Sequence, residues 1–440
     1  MCYIQYELPH PEHLTVRDCL HRQQSQKVIM NNDNRISRRN VLGGGALLTA
    51  GAVTTVILGG TPANAATRTT AASQPPAIPN FTYGPNDPIR SFYEARAQYK
   101  NRKISIGILG DSYVESADAS SIEAGYPAQL RNMLREAYPT GAIGGLDYIA
   151  ARHQMAWRDG VPKFQAFNFN AEVVRGSLHG LGRRNVPLTP EVGDGTREAV
   201  FSSVRIAWWS AAKGNAIRVK IDNDAWVTVT ADAAGDRTWT SRQYDGTKLH
   251  TIQVGLVAGK PEFEGAWLFN GDENRGFHVL EGGNSGMAAW QLSRGAHPEG
   301  VSSWIDATPR FDFDLWMPET LINDLVIRTP VQVEKDMVSL IRLIRTKSDK
   351  PILIAPPYER STCPVPGTSW VQYTDALARA AKTDKKTDFF NMSLYIPRLA
   401  GANATPDTWG WMGPKGHPSD AGYRRMAEVL FKKLTAKPSF

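Results

Sequence analysis

The sequence predicts an α/β fold built on a parallel sheet and interrupted by an all-β segment. Three observations carry this. A β-branched apolar run, Ile104, Ile106, Ile108 and Leu109, stops at Gly110-Asp111-Ser112, and a helical period follows it. Several stretches between residues 151 and 275 instead alternate apolar and polar residues. Beyond them, short apolar runs and helical periods take turns again to the C-terminus.

The chain has 440 residues, 42% hydrophobic and 21% charged, an ordinary globular balance. Its formal net charge is +7 with both signs interspersed. No basic run or aromatic–basic stripe marks it as a nucleic-acid binder, so the charge reads as solubility and weak attraction to anionic surfaces. Residues 1–65 read as an N-terminal extension and export signal. Arg38-Arg39 precedes a Gly/Ala-rich apolar stretch, Val41 to Gly60, and Ala63-Asn64-Ala65 is a small-residue cleavage signature. Paired arginines there indicate twin-arginine export. Translation from Met30 would bring them near the start. The alternative is a single transmembrane anchor, which Gly43-Gly44-Gly45 and several threonines argue against. The expectation is a secreted or envelope-associated protein with no stable membrane insertion once the signal is cleaved. Cleavage would remove Cys2 and Cys19, leaving Cys363 and no internal disulfide.

Residues 66–100 read as a linker, rich in Thr, Ala, Ser and Pro at their start. Residues 101–150 hold the first strand–helix unit. Pro127 to Tyr138 should form its helix, with Leu130, Met133, Leu134 and Ala137 on the inner face. In residues 151–275, "VRIAWWS", "AIRVKID", "AWVTVTAD" and "LHTIQVGLV" read as strands. Turns at Asn223-Asp224, Asp245-Gly246 and Asn270-Gly271 separate or end them. Even spacing of this kind suggests a sandwich or jelly roll. In residues 276–440, "VEKDMVSLIRLIR" reads as a helix packed through Met337, Leu340, Ile341 and Ile344, and "PILIAPPYE" as the next strand. A final helix packs through Tyr423, Met426, Ala427, Leu430 and Leu434, with Ser419 or Asp420 as its N-cap.

Ser112 therefore stands where a strand hands over to a helix. Ligands of open α/β sheets bind beyond the carboxyl ends of strands. A serine there is placed to attack, although Asp and Ser also simply terminate strands. His417 sits on a loop just before the last helix, a position that suits a base. Neither a P-loop, a dinucleotide fingerprint, metal-ligand spacing nor G-x-S-x-G appears, so no metal or cofactor is expected.

These residues resemble the SGNH, or GDSL, hydrolases, a family of esterases, lipases and carbohydrate deacylases. Gly110-Asp111-Ser112 is similar to the family's nucleophile block, Asn284-Ser285-Gly286 to the second, Asn323-Asp324 to the third and His417-Pro418 to the fourth. The resemblance implies a flavodoxin-like three-layer fold, with Ser112 as nucleophile and His417 as base. It further implies an oxyanion hole from the N–H groups of Ser112 and Gly286 and the side chain of Asn323. Some members that deacylate polysaccharides carry a jelly-roll module, so residues 151–275 look like an inserted domain of that type. Trp208, Trp209, Trp226, Trp239 and Trp267 would stack on sugars or fill its core.

Two positions depart from the pattern. Leu321 replaces the glycine that opens the third block, and Pro414 replaces the aspartate three residues before the histidine. Pro414 has no side-chain acceptor for the imidazole. Candidates for that role are a backbone carbonyl in Trp411–Pro414, preferred, or Asp407 folding back. The activity implied is ester hydrolysis on an acylated polysaccharide or glycoconjugate. The alternatives are acyl transfer to an envelope glycan and a glycan-binding protein on a decayed scaffold.

Overall fold

After a short β1 (Thr82–Tyr83) and α1 (Arg90–Arg96), the apolar run becomes β2 (Lys103–Gly110). Each residue past Lys103 is buried, as in a strand covered on both faces. The computed structural model describes residues 75–152, 166–170, 185–293, 305, 312–357, 365–396, 409–413 and 416–439. The chain divides into two units, Met1–Thr69 and Thr70–Phe440. The first, with the export signal expected there, lies outside the described residues. No helix among the described residues is long and apolar enough to cross a membrane.

The helix α2 (Tyr126–Ala137) follows β2, with Pro127 in its first turn. Its inner face differs from the expectation. Leu130 and Leu134 are buried, but Ala137 is exposed and Arg131 is buried in its stead. Arg131 Nη1 donates to the Leu146 carbonyl at 2.6 Å, which gives this buried guanidinium a partner.

The antiparallel strands come next: β3 (Asp147–Ala150), β4 (Val186–Pro187), β5 (Gly195–Val200), β6 (Ser203–Ser210), β7 (Ala216–Ile221), β8 (Val227–Thr230), β9 (Gly235–Arg242), β10 (Leu249–Ala258) and β11 (Glu262–Phe269). They form two sheets, β3-β11-β6-β9 with β4 on β11, and β5-β10-β7-β8. Ile206, Trp208 and Phe263 from the first share a core with Ile217, Val219 and Ile252 from the second. The four alternating stretches become β6, β7, β8 and β10. β11 carries no alternation because it is buried at every position. β3 lies upstream of residue 151, where the all-β segment was expected to start, and pairs with β11. Trp208 is fully buried and Trp267 nearly so, Trp209 and Trp239 are half-buried, and Trp226 is exposed. The Arg218 guanidinium covers the Trp226 ring at 4.7 Å.

The chain then returns as β12 (Gly276–Gly283), α3 (Ala289–Leu292), β13 (Leu315–Glu319), α4 (Asp324–Ile327), α5 (Pro330–Arg345), β14 (Ile352–Ile354), α6 (Trp370–Ala381), β15 (Thr387–Phe389), α7 (Asp420–Leu434) and β16 (Lys437–Pro438). The order β12-β2-β13-β14-β15 is parallel throughout. Counted along the chain this is 2-1-3-4-5, the flavodoxin-like order, whose switch point lies between β2 and β13. Helix α5 starts at a capping box between Thr329 and Gln332 and buries Met337, Leu340, Ile341 and Ile344, as its period predicts. Helix α7 packs on α2 and buries Tyr423, Met426, Leu430 and Leu434.

A buried ionic cluster joins the parallel sheet to the antiparallel region. Arg135 Nη2 lies 2.8 Å from Asp147 Oδ1 and 2.5 Å from Asp272 Oδ2. His278 Nδ1 lies 2.8 Å from Asp147 Oδ1, and its Nε2 lies 2.7 Å from the Asp272 carbonyl. Asp147 also accepts from the Val279 N–H at 2.8 Å. Asp147, Asp272 and His278 have the spacing of metal ligands, but Arg135 already supplies the cation between the two carboxylates. Burial would raise the Asp147 carboxyl. Arg135 and His278 outweigh it and hold the group well below the usual carboxylate range.

Asp147→Ala should therefore cost about 3–5 kcal/mol, since it leaves buried cations underpaired. The depressed pKa makes this contribution complete above about pH 4 and lost as the pH falls further. Unfolding midpoints of variant and wild type should converge in acid; a gap that stays constant down to pH 3 would contradict this assignment.

Candidate active site

The site forms where β2 ends. Gly110 passes so close to β13 that a Cβ there would lie 2.0 Å from the Glu319 carbonyl, which makes glycine obligatory. The chain then turns through Asp111, whose Oδ1 accepts the Tyr113 N–H at 2.9 Å. The turn continues through Glu115 N–H to Asp111 carbonyl at 3.0 Å and Ala117 N–H to Ser112 carbonyl at 2.9 Å. Ser112 is thus held at the carboxyl end of β2, at the edge of the switch point.

His417 arrives from the other end of the sequence. Its Nε2 lies 2.9 Å from Ser112 Oγ, across 305 residues. Ser419 caps α7 by accepting the Gly422 N–H at 3.3 Å. Asp420, the alternative cap, instead accepts from the Ser120 N–H and hydroxyl at 2.8 and 2.5 Å. Tyr423 Oη donates to the Ala117 carbonyl at 2.5 Å and Tyr113 Oη to the Gly416 carbonyl at 3.3 Å. The first turn of α7 and the loop before it are therefore fastened to the loop after β2 at three points around the Ser112–His417 pair.

The second block lies beside them. Asn284 N–H donates to the Gly110 carbonyl at 2.9 Å, continuing the β12–β2 ladder. Glu115 Oε2 accepts from both the N–H and the hydroxyl of Ser285 at 2.6 Å. Gly286 is exposed with φ +89°, a conformation that favours glycine. Among the described residues, no backbone carbonyl accepts from the Ser112 or the Gly286 N–H, a condition that oxyanion donors must meet.

The third block is tied to the second. Asn323 Nδ2 donates to the Met287 carbonyl at 2.8 Å, so one of its amide hydrogens is engaged in holding the second block. Asp324 accepts the Ala289 N–H at 3.0 and 3.1 Å and is pushed up to about 7 by burial. Leu321, the departure from the family pattern, is a core residue here. At the end of β13, beside Gly110, Glu319 contacts the Tyr126 hydroxyl, and burial followed by the Asp111 charge pushes its carboxyl well above the ordinary value.

The carbonyl route to the imidazole does not form among the described residues. The Trp411 carbonyl accepts from Ser419 N–H at 2.9 Å and that of Gly413 from Gly416 N–H at 3.3 Å. His417 Nδ1 is buried and has no hydrogen-bond partner among the described residues. Asp407 and Pro414 lie outside the described residues. A carboxylate absent from the sequence-level candidates stands in ion-pair range: Asp118 Oδ2 lies 3.7 Å from His417 Nδ1.

No family model matches the chain, and no curated protein sequence matches it. Among solved structures, the chain is similar to a family two carbohydrate esterase from Cellvibrio japonicus, at 12% identity and TM-score 0.29 over 59% of this chain and 93% of that one. It is similar to an acetyl xylan esterase from the rumen bacterium Butyrivibrio proteoclasticus, at 11% identity and TM-score 0.28 over 61% of this chain and 98% of that one. A carbohydrate acetylesterase from Xanthomonas citri matches at 11% identity and TM-score 0.29, over 55% of this chain and 71% of that one. These structural neighbours are carbohydrate esterases. At such identities the functional reading is carried by the site itself.

Two outcomes follow from the buried carboxyls. Glu115→Ala should lower kcat/KM for a small ester by about 10²-fold by releasing the second block, because displacements of about 1 Å carry that cost; unchanged kinetics would mean the block is held otherwise. Glu319→Gln should change stability by less than about 1 kcal/mol at pH 5, since it copies the neutral acid. The raised pKa makes wild type lose stability as pH rises above about 4.3, a slope the variant should lack in melts from pH 5 to 9.

Proposed function

We propose that the chain is a serine esterase that removes acyl groups from a polysaccharide or glycoconjugate. The observation that carries this reading is the 2.9 Å contact between Ser112 Oγ and His417 Nε2 at the sheet's switch point. In the proposed mechanism the Ser112 hydroxyl proton passes to His417 Nε2 as Oγ bonds to the ester carbonyl carbon. The carbonyl electron pair moves onto its oxygen, which the N–H groups of Ser112 and Gly286 receive. His417 then gives its proton to the departing alkoxide, and a water repeats the sequence on the acyl-enzyme. Asn323 would join the oxyanion hole only through the amide hydrogen that Met287 does not take.

The carbohydrate part of the reading rests on two features. Counted along the chain without β4, the antiparallel sheets run 1-8-3-6 and 2-7-4-5, an eight-stranded double-sheet arrangement that supports the jelly-roll reading. Trp409 and Trp411 stand on the histidine loop with ring centroids 5.2 Å apart, and Trp409 is half-buried, an aromatic surface beside the site on which a sugar ring would rest. The sandwich tryptophans contribute less than expected, because four of the five are buried or half-buried.

The purified chain should release p-nitrophenol from its acetate and butyrate esters and acetate from acetylated polysaccharide. Ser112→Ala should lower both rates by at least about 10⁴-fold without a change in fold. Near wild-type activity in that variant would overturn the mechanism. Acyl groups moved onto an added glycan faster than to water would make the chain a transferase.

A further inference from the structure

We propose that Asp118 is the positioning residue of this site: its carboxylate orients and charge-stabilises His417, in place of the aspartate that Pro414 displaces. The proposal rests on the reading of Ser112 and His417 as nucleophile and base.

The argument starts from the proton. For His417 Nε2 to accept from Ser112 Oγ, the neutral ring must carry its hydrogen on Nδ1. That Nδ1–H is buried and has no hydrogen-bond partner among the described residues. When Nε2 takes the serine proton, the ring becomes a buried cation whose uncompensated end is Nδ1. Asp118 Oδ2 lies 3.7 Å from it. This is ion-pair range, and closing by about 0.9 Å would give a charge-assisted hydrogen bond of ordinary length. Catalytic hydrogen bonds are often long in the unliganded enzyme and tighten with substrate.

The backbone has been bent to put the carboxylate there. Asp118 adopts φ +69°, and Ser116 two residues earlier φ +62°. Non-glycine residues pay for that region, and such strain collects at functional sites. Aspartate and asparagine tolerate it best. The carboxylate is then covered. Its side chain is only 6% exposed. Gly413 packs on it so closely that a Cβ there would lie 3.2 Å from Asp118 Oδ2. Gly413 N–H also donates to the His417 carbonyl at 2.7 Å, closing the histidine loop around the acid. The consequence is a rearranged triad. Nucleophile and acid sit six residues apart on one loop, and the base alone comes from the far end of the chain.

The backbone conformation supplies suitable variants. Asn at position 118 keeps the left-handed preference and the shape while removing the charge. Gly at 118 relaxes the backbone and leaves a hole of carboxylate size. Steady-state hydrolysis of p-nitrophenyl acetate is measured for wild type and for Ser112→Ala, Asp118→Asn, Asp118→Gly and Asp407→Asn, with melting temperatures for each. The expected result is a fall in kcat of about 10³–10⁴-fold in Asp118→Asn, by analogy with losing the acid in triad proteases. KM should stay within about threefold and melting should be unchanged, because the charge acts on the reaction rather than on binding. Sodium formate should restore at least about tenfold of the Asp118→Gly rate, saturably, and should do nothing for Ser112→Ala. Full activity in Asp118→Asn, or a comparable loss in Asp407→Asn with Asp118→Asn silent, overturns the proposal while leaving the Ser112–His417 reading intact. Loss in both 118 variants with lowered melting and no formate rescue also overturns it, assigning Asp118 a structural role. Activity surviving in Ser112→Ala would remove the underlying reading together with this one.

Discussion

Everything at the site depends on one closure: the loop after β2 held against the loop before α7. The two lie about 300 residues apart. Ser120 with Asp420, Ala117 with Tyr423 and Tyr113 with Gly416 fasten the Ser112 loop to the first turn of α7 and the histidine loop before it. Tyr423 is both a core residue of α7 and the donor to Ala117, so packing of the last helix and alignment of the base are one event. A base that needs a serine within about 3 Å is then fixed by the helix rather than by a mobile loop.

The rest of the site is organised by buried carboxyls, each with a different task. Glu115 gathers the second block onto the first through Ser285. Asp324, one residue past Asn323, holds the second block from the other side through Ala289. Burial and the Asp111 charge push the Glu319 carboxyl up, which disfavours two adjacent buried charges. These acids are therefore structural ties, and Gly286, at the end of the segment they hold, remains exposed.

Much of this was legible in the sequence because it depends on local patterns. The strand ending at Gly110-Asp111-Ser112 shows as an apolar run with a hard stop. His417 shows as a histidine just ahead of an amphipathic helix. The inner faces of α5 and α7 follow directly from period. The less legible parts depend on long-range geometry. Ala137 and Arg131 exchange faces on α2 because the Leu146 carbonyl is available to a guanidinium. β11 hides because burial on every position erases its alternation. Asn323 looks like an oxyanion donor by its motif, and only the position of Met287 reveals its other engagement. Asp118 was hidden for the same reason. Its distance from His417 is set by the closure of the two loops, and the only local sign is an acidic residue in the small-residue stretch "ESADASS".

The central claim is that Ser112 is activated by His417 at the carboxyl end of β2. Covalent labelling with a fluorophosphonate, followed by peptide mapping, tests it most directly. The account predicts a single adduct on the peptide containing Ser112, formed at least about 10³-fold more slowly in His417→Ala. Labelling elsewhere, or at the same rate without His417, would contradict it.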